Sequence, residues 1–376
     1  MPSRASAAQA TRMPNRHSGA RERMPTGIAS EKQIKTKTNF IQLQGGIVKF
    51  PSIDCVTKRI NYFKSALSSM KMYGGNAELA RGAVRFLLQK PSDAVRKLRW
   101  KAMHAHTSIA QNILDFDAFK LVVDAKDEGI SAELAIDHMH EPFGTAILCH
   151  ILADDMTVVE LGANIGYYTM QECAARKLRR VVAIEPNPRS FEILKQNVEL
   201  NACDNVTMHN IAISDTDGTL PFYISKHSNI CSITPRSDYE RVIDVPVRTL
   251  DGLVATDSIE KVDMIRMDIE GHEICALRGM TETLKRDKPW ICMEYHSPMI
   301  STQDREFFVS TLEHCGYELK CFTFRWSDYP IFGHNIVDKS NVVKTGELRT
   351  VLENIPKQVV LLFLAHKEVA FELPKF

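Results

Sequence analysis

The sequence predicts an α/β protein built on a mostly parallel sheet with helices on both faces, and three observations carry that expectation. A short apolar run, Met156 to Val159, leads into a turn with Gly162 and Gly166 and then a helical stretch from Tyr167 to about Leu178. A second apolar run, Arg180 to Ile184, follows that helix and ends at Glu185. Beyond it, strand-like and helix-like stretches keep alternating, which is the pattern of a parallel sheet with crossover helices.

Before the first core strand the chain divides into two stretches. Residues 1–39 are rich in Arg, Ser, Ala and Pro with few large apolar side chains, so they are expected to be a disordered N-terminal extension. That extension has no apolar h-region of a secretory signal, its Pro2, Pro14 and Pro25 interrupt any amphipathic helix, and Met13 and Met24 are alternative starts. Residues 40–118 are expected to form a helical N-terminal region, because Ile60, Phe63, Leu67 and Met70 recur at three and four residues and Leu79, Val84, Leu87 and Leu88 follow. The main domain is expected to run from 119 to 376, opening with a strand at Leu121-Val122-Val123, a turn at Asp127-Glu128-Gly129 and a helix begun by Glu141-Pro142.

After Glu185 the helix Pro188 to Leu200 turns Phe191, Leu194 and Val198 to the sheet. Val206 to Ile213 reads as a strand ending at Ser214-Asp215, and two more strands, Leu220 to Ile224 and Val242 to Leu250, flank a polar segment from His227 to Arg236. Val262 to Asp268 is the fourth core strand, a helix carries Ile274, Leu277 and Met280, and Pro289 to Glu294 is the fifth strand, continuing to Tyr295-His296. The tail reads as a helix near Asp304 to His314 and strands near Glu318 to Phe324 and Gln358 to Leu364, with no clear helix between the two strands and antiparallel closure expected. Ligands of such sheets sit beyond the carboxyl ends of the strands, and Glu160, Glu185, Asp215, Asp268 and Glu294 all fall at ends of that kind.

Composition narrows the function class. Hydrophobic residues make up 44% and charged residues 25%, as in ordinary globular domains, and the net charge of +1 gives no electrostatic case for nucleic acid or membrane as partner. Nine cysteines without a C-x-x-C pair fit reduced thiols in a cytosol better than a disulfide framework or a zinc site. The longest apolar run, Val359 to Ala365, is far too short to span a bilayer, so a cytoplasmic protein is expected.

The first turn discriminates between ligands. A dinucleotide site wants Gly-x-Gly-x-x-Gly so that backbone can press on a pyrophosphate, whereas this turn lacks the middle glycine and has Glu160 two residues before Gly162. A carboxylate there repels a pyrophosphate but suits a ligand carrying an ammonium and a sulfonium, as S-adenosylmethionine does. Glu185, ending the second strand, is placed to accept hydrogen bonds from both hydroxyls of a ribose. A glycine turn alone also occurs in α/β proteins that bind nothing.

Taken together, Glu160 to Thr169, Ile184 to Pro188 with Leu194 to Asn201, Val247 to Asp251, and Asp268-Ile269-Glu270-Gly271-His272-Glu273 with Arg278-Gly279 resemble the FkbM family of methyltransferases. The resemblance runs from about Phe119 to His296. It implies a class I, Rossmann-like fold with a seven-stranded sheet, S-adenosylmethionine as methyl donor, and an oxygen of a sugar or natural product as acceptor. It also implies that Glu160, Gly162, Asn164 and Gly166 frame the methionine end of the cofactor, that Glu185 and Pro186 hold the ribose side, that Asp215 lies near the adenine, and that Asp268 and Glu270 face the methyl group. Arg266 departs from the lysine more usual in the fourth strand, keeping the charge with a different geometry.

A sugar hydroxyl is a poor nucleophile at neutral pH, so a base is expected among Asp268, Glu270, Glu294 and His296; the first three also suit a divalent cation, although no metal is assigned. The expected partner is a small-molecule or carbohydrate acceptor. Two other readings compete: a nicotinamide dehydrogenase, disfavoured by the missing glycine and Glu160, and a non-catalytic module that binds the cofactor, disfavoured by the intact acids Glu185 and Asp268.

Overall fold

The computed structural model describes residues 39–43, 46–50, 112–124, 126–127, 129–235, 237–324, 342–354 and 359–375. The expectations for the extension and for most of the helical region therefore lie outside the described residues. Where that region is described, it is extended. Strands β1 (Asn39–Leu43) and β2 (Gly46–Phe50) pair antiparallel, and β3 (Ile113–Asp115) pairs antiparallel with β4 (Lys120–Val122). The β-branched Ile41, Ile47, Val48 and Ile113 favour that conformation over a helix.

Two helices precede the central strand: α1 (Ile130–Asp137), which sequence periodicity did not reveal, and α2 (Pro142–Ile151), which starts with proline as expected. The chain then alternates through β5 (Thr157–Leu161), α3 (Tyr167–Ala175), β6 (Arg180–Ile184), α4 (Pro188–Leu200) and β7 (Val206–His209). The run expected as one strand to Ile213 breaks at Asn210, whose Nδ2 donates to the Glu185 carbonyl at 2.8 Å and to the Pro186 carbonyl at 3.1 Å. Past that break β8 (Ala212–Ile213) leaves for a three-stranded sheet with β9 (Gly218–Ile224) and β10 (Arg241–Arg248).

The chain continues through α5 (Leu250–Thr256), β11 (Met264–Met267), α6 (Glu273–Arg278), α7 (Thr281–Asp287), β12 (Trp290–His296), α8 (Thr302–His314) and β13 (Tyr317–Phe324). It ends in β14 (Val342–Lys344), α9 (Leu348–Asn354) and β15 (Val359–His366). The main sheet has the order β14-β13-β15-β12-β11-β5-β6-β7. It is parallel from β12 through β7 and antiparallel where β15 inserts between β12 and β13. This is the class I, Rossmann-like arrangement, with eight strands instead of seven because β14 adds an antiparallel edge. The helix α9 in the closing excursion was not expected, although Leu348, Val351 and Leu352 are spaced at i, i+3 and i+4 and are buried.

Strand alternation gives the sheet two apolar faces. Val159, Val182, Ile265 and Met293 pack with Leu253, Leu277, Leu312 and Val351 on one side; Val158, Val181, Met264 and Cys292 pack with Ile147, Met170 and Leu194 on the other. Helices thus cover both faces, as expected. Among the described residues the cysteines are free thiols, and no helix is long and apolar enough to cross a membrane.

Candidate active site

The chain winds from β5 outward to β7 and then returns to β11 on the other side of β5, so strand order reverses between β5 and β11. The cleft lies there, beyond the carboxyl ends of β5, β6 and β11, lined by Gly162 to Ile165, Glu185 and Pro186, and Asp268 to Glu270. Its outer wall is the segment between β9 and β10, which contributes Asn229, Cys231 and Ile233. Buried Asp127 ties that wall to the body: its Oδ1 accepts from the Ser228 amide at 2.8 Å and its Oδ2 from the Ser228 hydroxyl at 2.9 Å. Sequence reading left the wall as a polar connection, because nothing in its pattern says where it packs.

The two glycines of the turn act differently. Gly162 has φ +85°, and a Cβ on it would stand 2.0 Å from the Asp268 carbonyl oxygen, so β11 passes too close for any other residue. Gly166, with φ +88°, does not line the cleft; a Cβ there would meet Leu194 Cδ1 at 2.6 Å. It sets how α3 starts against α4 and frames the ligand only indirectly.

Glu185 is 6% exposed and reaches the cleft. Its Oε2 accepts from the Asn164 amide at 2.8 Å and its Oε1 from the Asn187 amide at 2.7 Å, which fixes the carboxylate while each oxygen keeps a further lone pair. Burial pushes its pKa up to about 7, against the pull of those two amides. Three acceptor atoms in the cleft lining, Asn164 Oδ1, Asn229 Oδ1 and Asp268 Oδ1, are buried without a hydrogen-bond partner among the described residues.

Glu160 does not line the cleft, contrary to the role the resemblance implied. It is 0% exposed, because its position on β5 turns it to the face shared with Val158. Its Oε2 accepts from Thr169 Oγ1 at 2.5 Å, and its Oε1 lies 3.3 Å from Arg266 Nη1. Burial pushes its carboxyl upward, opposed by the Arg266 charge and the Thr169 hydroxyl. Arg266 is what reaches the cleft instead, with its guanidinium carbon 3.6 Å from the centre of the Tyr168 ring. Tyr168 in turn donates to Glu141 Oε2 at 2.5 Å. Both Tyr167 and Tyr168 are core residues that also line the cleft floor.

At the end of β11 the chain turns through Glu270 (φ +54°) and Gly271 (φ +95°), which brings Glu270 back beside His296 at the end of β12. His296 Nδ1 is 2.7 Å from Glu273 Oε1 and Nε2 is 3.4 Å from Glu270 Oε2. Burial works against a charged imidazole, but Glu273 and Glu270 more than offset it and hold the His296 pKa well above its ordinary value. Glu294 is not in the cleft lining; it lines a small adjoining cavity with Glu141 and Leu361, which shares Tyr168 and Arg266 with the cleft. Asp215 is exposed at the surface, where it accepts from Ser214 Oγ at 3.2 Å, and is not part of the cleft lining.

The structure therefore brings Gly162, Asn164, Glu185, Pro186, Asp268 and Glu270 to one cleft, keeps His296 against Glu270, and leaves Glu160, Gly166, Asp215 and Glu294 outside its lining. Sequence reading missed His140 on the cleft wall, with Nδ1 2.9 Å from Glu133 Oε1, and Glu273, whose 0% exposure and contact with His296 no spacing announces. His272, at the start of α6, also lines the cleft, its Nε2 3.0 Å from Ser214 Oγ.

Residues 160–319 match the family described as the Methyltransferase FkbM domain. The match begins at Glu160 and ends inside β13, so it contains the strand ends and the β9–β10 segment that line the cleft but not His140 or Ile130. The domain is similar to the hexuronic acid methyltransferase AglP of Haloferax volcanii, at 27% identity over 38% of this chain and 57% of that protein. It is also similar to the 2-O-methyltransferase NoeI of Sinorhizobium fredii, at 25% identity over 38% of this chain and 63% of that one. The chain thus spans less than two thirds of the length of either relative. Among solved structures, an FkbM methyltransferase from Methylobacillus flagellatus aligns with a TM-score of 0.37 and 18% identity, covering 62% of this chain and 49% of that one.

Proposed function

We propose that this FkbM domain is an S-adenosylmethionine-dependent O-methyltransferase acting on a hydroxyl of a sugar or similar small molecule. The observation that carries the reading is the polarity of the cleft at the switch point. Its fixed carboxylates, Glu185, Asp268 and Glu270, and its unpartnered acceptors, Asn164 Oδ1 and Asp268 Oδ1, call for a ligand that brings hydrogen-bond donors and positive charge. S-adenosylmethionine has both, in its ribose hydroxyls, ammonium and sulfonium. A dinucleotide pyrophosphate would meet like charge. The names of AglP and NoeI, a hexuronic acid methyltransferase and a 2-O-methyltransferase, support a sugar hydroxyl as acceptor.

When bound, S-adenosylmethionine supplies an electrophilic methyl group. Glu185 would accept from the ribose hydroxyls and Asn164 Oδ1 from the ammonium. Asp268 and Glu270 face the space an acceptor hydroxyl must enter. One of them would take the proton of that hydroxyl. Burial raises the Glu270 carboxyl above its ordinary value, opposed by His296, while Glu273 keeps His296 fixed beside it. Alignment of acceptor, carbon and sulfur supplies much of the rate.

The test is incubation of the purified chain with methyl-tritiated cofactor and a panel of hexuronates and neutral pyranosides, followed by chromatography. Label is expected in a base-stable methyl ether of at least one acceptor. Label only in base-labile esters would contradict O-methylation of a hydroxyl.

A further inference from the structure

We propose that Asp268, Glu270 and His296 form a divalent-cation site at the mouth of the cleft, where the ion would hold the acceptor oxygen. The role of the ion rests on the methyl-transfer reading; its binding does not.

Geometry is the first argument. One ligand atom from each of the three residues lies within 4.8 Å of the other two. Ligands bound at about 2.0 to 2.4 Å to one ion sit roughly 3 to 4.5 Å apart, so small side-chain movements close the site. Asp268 and Glu270 retain 22% and 15% side-chain exposure on the cleft side, which leaves open positions for water or an acceptor hydroxyl. His296 is 6% exposed and anchors the inner side.

The surroundings are built for that arrangement. Glu273, fully buried, accepts from His296 Nδ1 at 2.7 Å and from the Gly271 amide at 3.0 Å, so it fixes the ring with Nε2 toward Glu270. A carboxylate behind the distal nitrogen is the usual support of a metal-binding histidine. The Glu270 carbonyl accepts from Ser232 Oγ at 2.7 Å, which pins the left-handed turn that aims its carboxylate. Asp268 leans one oxygen toward Arg266 Nη2 at 3.9 Å, while its buried Oδ1 has no partner among the described residues.

Charge balance points the same way. Glu160, Asp268, Glu270 and Glu273 gather around one guanidinium, Arg266, and one imidazole, and Arg266 is already engaged by Glu160. A divalent ion offsets the excess and lowers the pKa of a hydroxyl it binds, which is the assistance a sugar oxygen needs as a nucleophile. Two carboxylates and one imidazole suit magnesium or manganese, with manganese better matched to the nitrogen.

Manganese binding tests this without cofactor or acceptor. The full chain, stripped with chelator and dialysed, is titrated with Mn²⁺ while free ion is read by electron paramagnetic resonance. One saturable site per chain is expected, displaced by excess Mg²⁺. Asp268→Asn, nearly isosteric, should weaken it by at least about tenfold, and His296→Gln likewise if circular dichroism shows it folded. Glu282→Gln, an exposed carboxylate on α7 far from the cleft lining, should bind as the unmutated chain does. No saturable binding below about 1 mM, or equal affinity in Asp268→Asn, would overturn the site. Calorimetry with S-adenosylmethionine on the same stripped sample separates this failure from failure of the methyl-transfer reading.

Discussion

Arg266 and Glu160 sit opposite each other on neighbouring parallel strands, β11 and β5, with Nη1 and Oε1 3.3 Å apart and side chains 8% and 1% exposed. The pair forms the floor under the cleft and connects it to the core: Glu160 bonds Thr169 of α3, and Arg266 covers the Tyr168 ring. A buried pair is worth little against an apolar replacement of both partners, but removing one partner leaves the other as an uncompensated charge. Arg266→Ala is therefore expected to destabilise the fold by about 3 to 5 kcal/mol, read from urea unfolding. A loss below about 1 kcal/mol would mean that Glu160 is protonated and needs no partner.

Gly162 makes a steric prediction at the same strand end. With φ +85° and the Asp268 carbonyl 2.0 Å from any Cβ, Gly162→Ala has to push β5 away from β11. The left-handed backbone alone costs on the order of 1 to 3 kcal/mol, and the clash adds to it. The variant is expected to melt well below the parent or to accumulate as insoluble protein. Equal melting temperatures would show that the strand ends relax freely.

These two residues also mark what a sequence does and does not disclose. The β-α-β unit around Gly162 was legible because a short continuous apolar run, a glycine turn and a helical stretch follow one another without interruption. The same local rules gave α4 with both boundaries correct, since Pro188 opens it and the Phe191, Leu194, Val198 stripe defines its face. They could not give the face of Glu160: an acid near a glycine turn reads as a ligand contact, and only pairing with β11 reveals that Arg266 claims it. Asp215 failed for a related reason, because the chain leaves the main sheet at Asn210, so its strand end is not at the shared edge. The cleft wall, His140 and Glu273 depend on contacts between distant segments, such as Asp127 with Ser228, that no local pattern encodes.

Glu185 gives cofactor binding a pH dependence of definite sign. Burial raises its pKa from an ordinary 4.5 to about 7, so the empty fold takes up a proton between those values. Its stability accordingly falls as pH rises through that window and levels off above it. In the proposed complex ribose hydroxyls would donate to the carboxylate, so binding would favour the deprotonated form. Affinity for S-adenosylmethionine is expected to rise with pH up to about 7 and then flatten, by calorimetry from pH 5.5 to 8.5. Glu185→Gln should flatten the profile. A parent profile that falls with pH would place the controlling group elsewhere.

Asp268 separates binding from chemistry. Asp268→Asn keeps the shape of the side chain while removing its charge from the place where the acceptor enters. Cofactor affinity is expected to stay within a few-fold, and turnover at saturating acceptor to fall by roughly a hundredfold or more. A variant that turns over normally would shift the proton-accepting role to Glu270.

In the proposed reading the cleft between β5 and β11 binds S-adenosylmethionine through Glu185. Calorimetric titration of the unmutated chain and of Glu185→Ala with S-adenosylmethionine, S-adenosylhomocysteine and NAD tests it directly. The account predicts binding of the first two with Kd on the order of micromolar, none of NAD, and a weakening of about 1.5 to 3 kcal/mol in Glu185→Ala, the worth of a charge-assisted hydrogen bond. Binding of NAD in preference to S-adenosylmethionine, or equal affinity for S-adenosylmethionine in the parent and in folded Glu185→Ala, would contradict it.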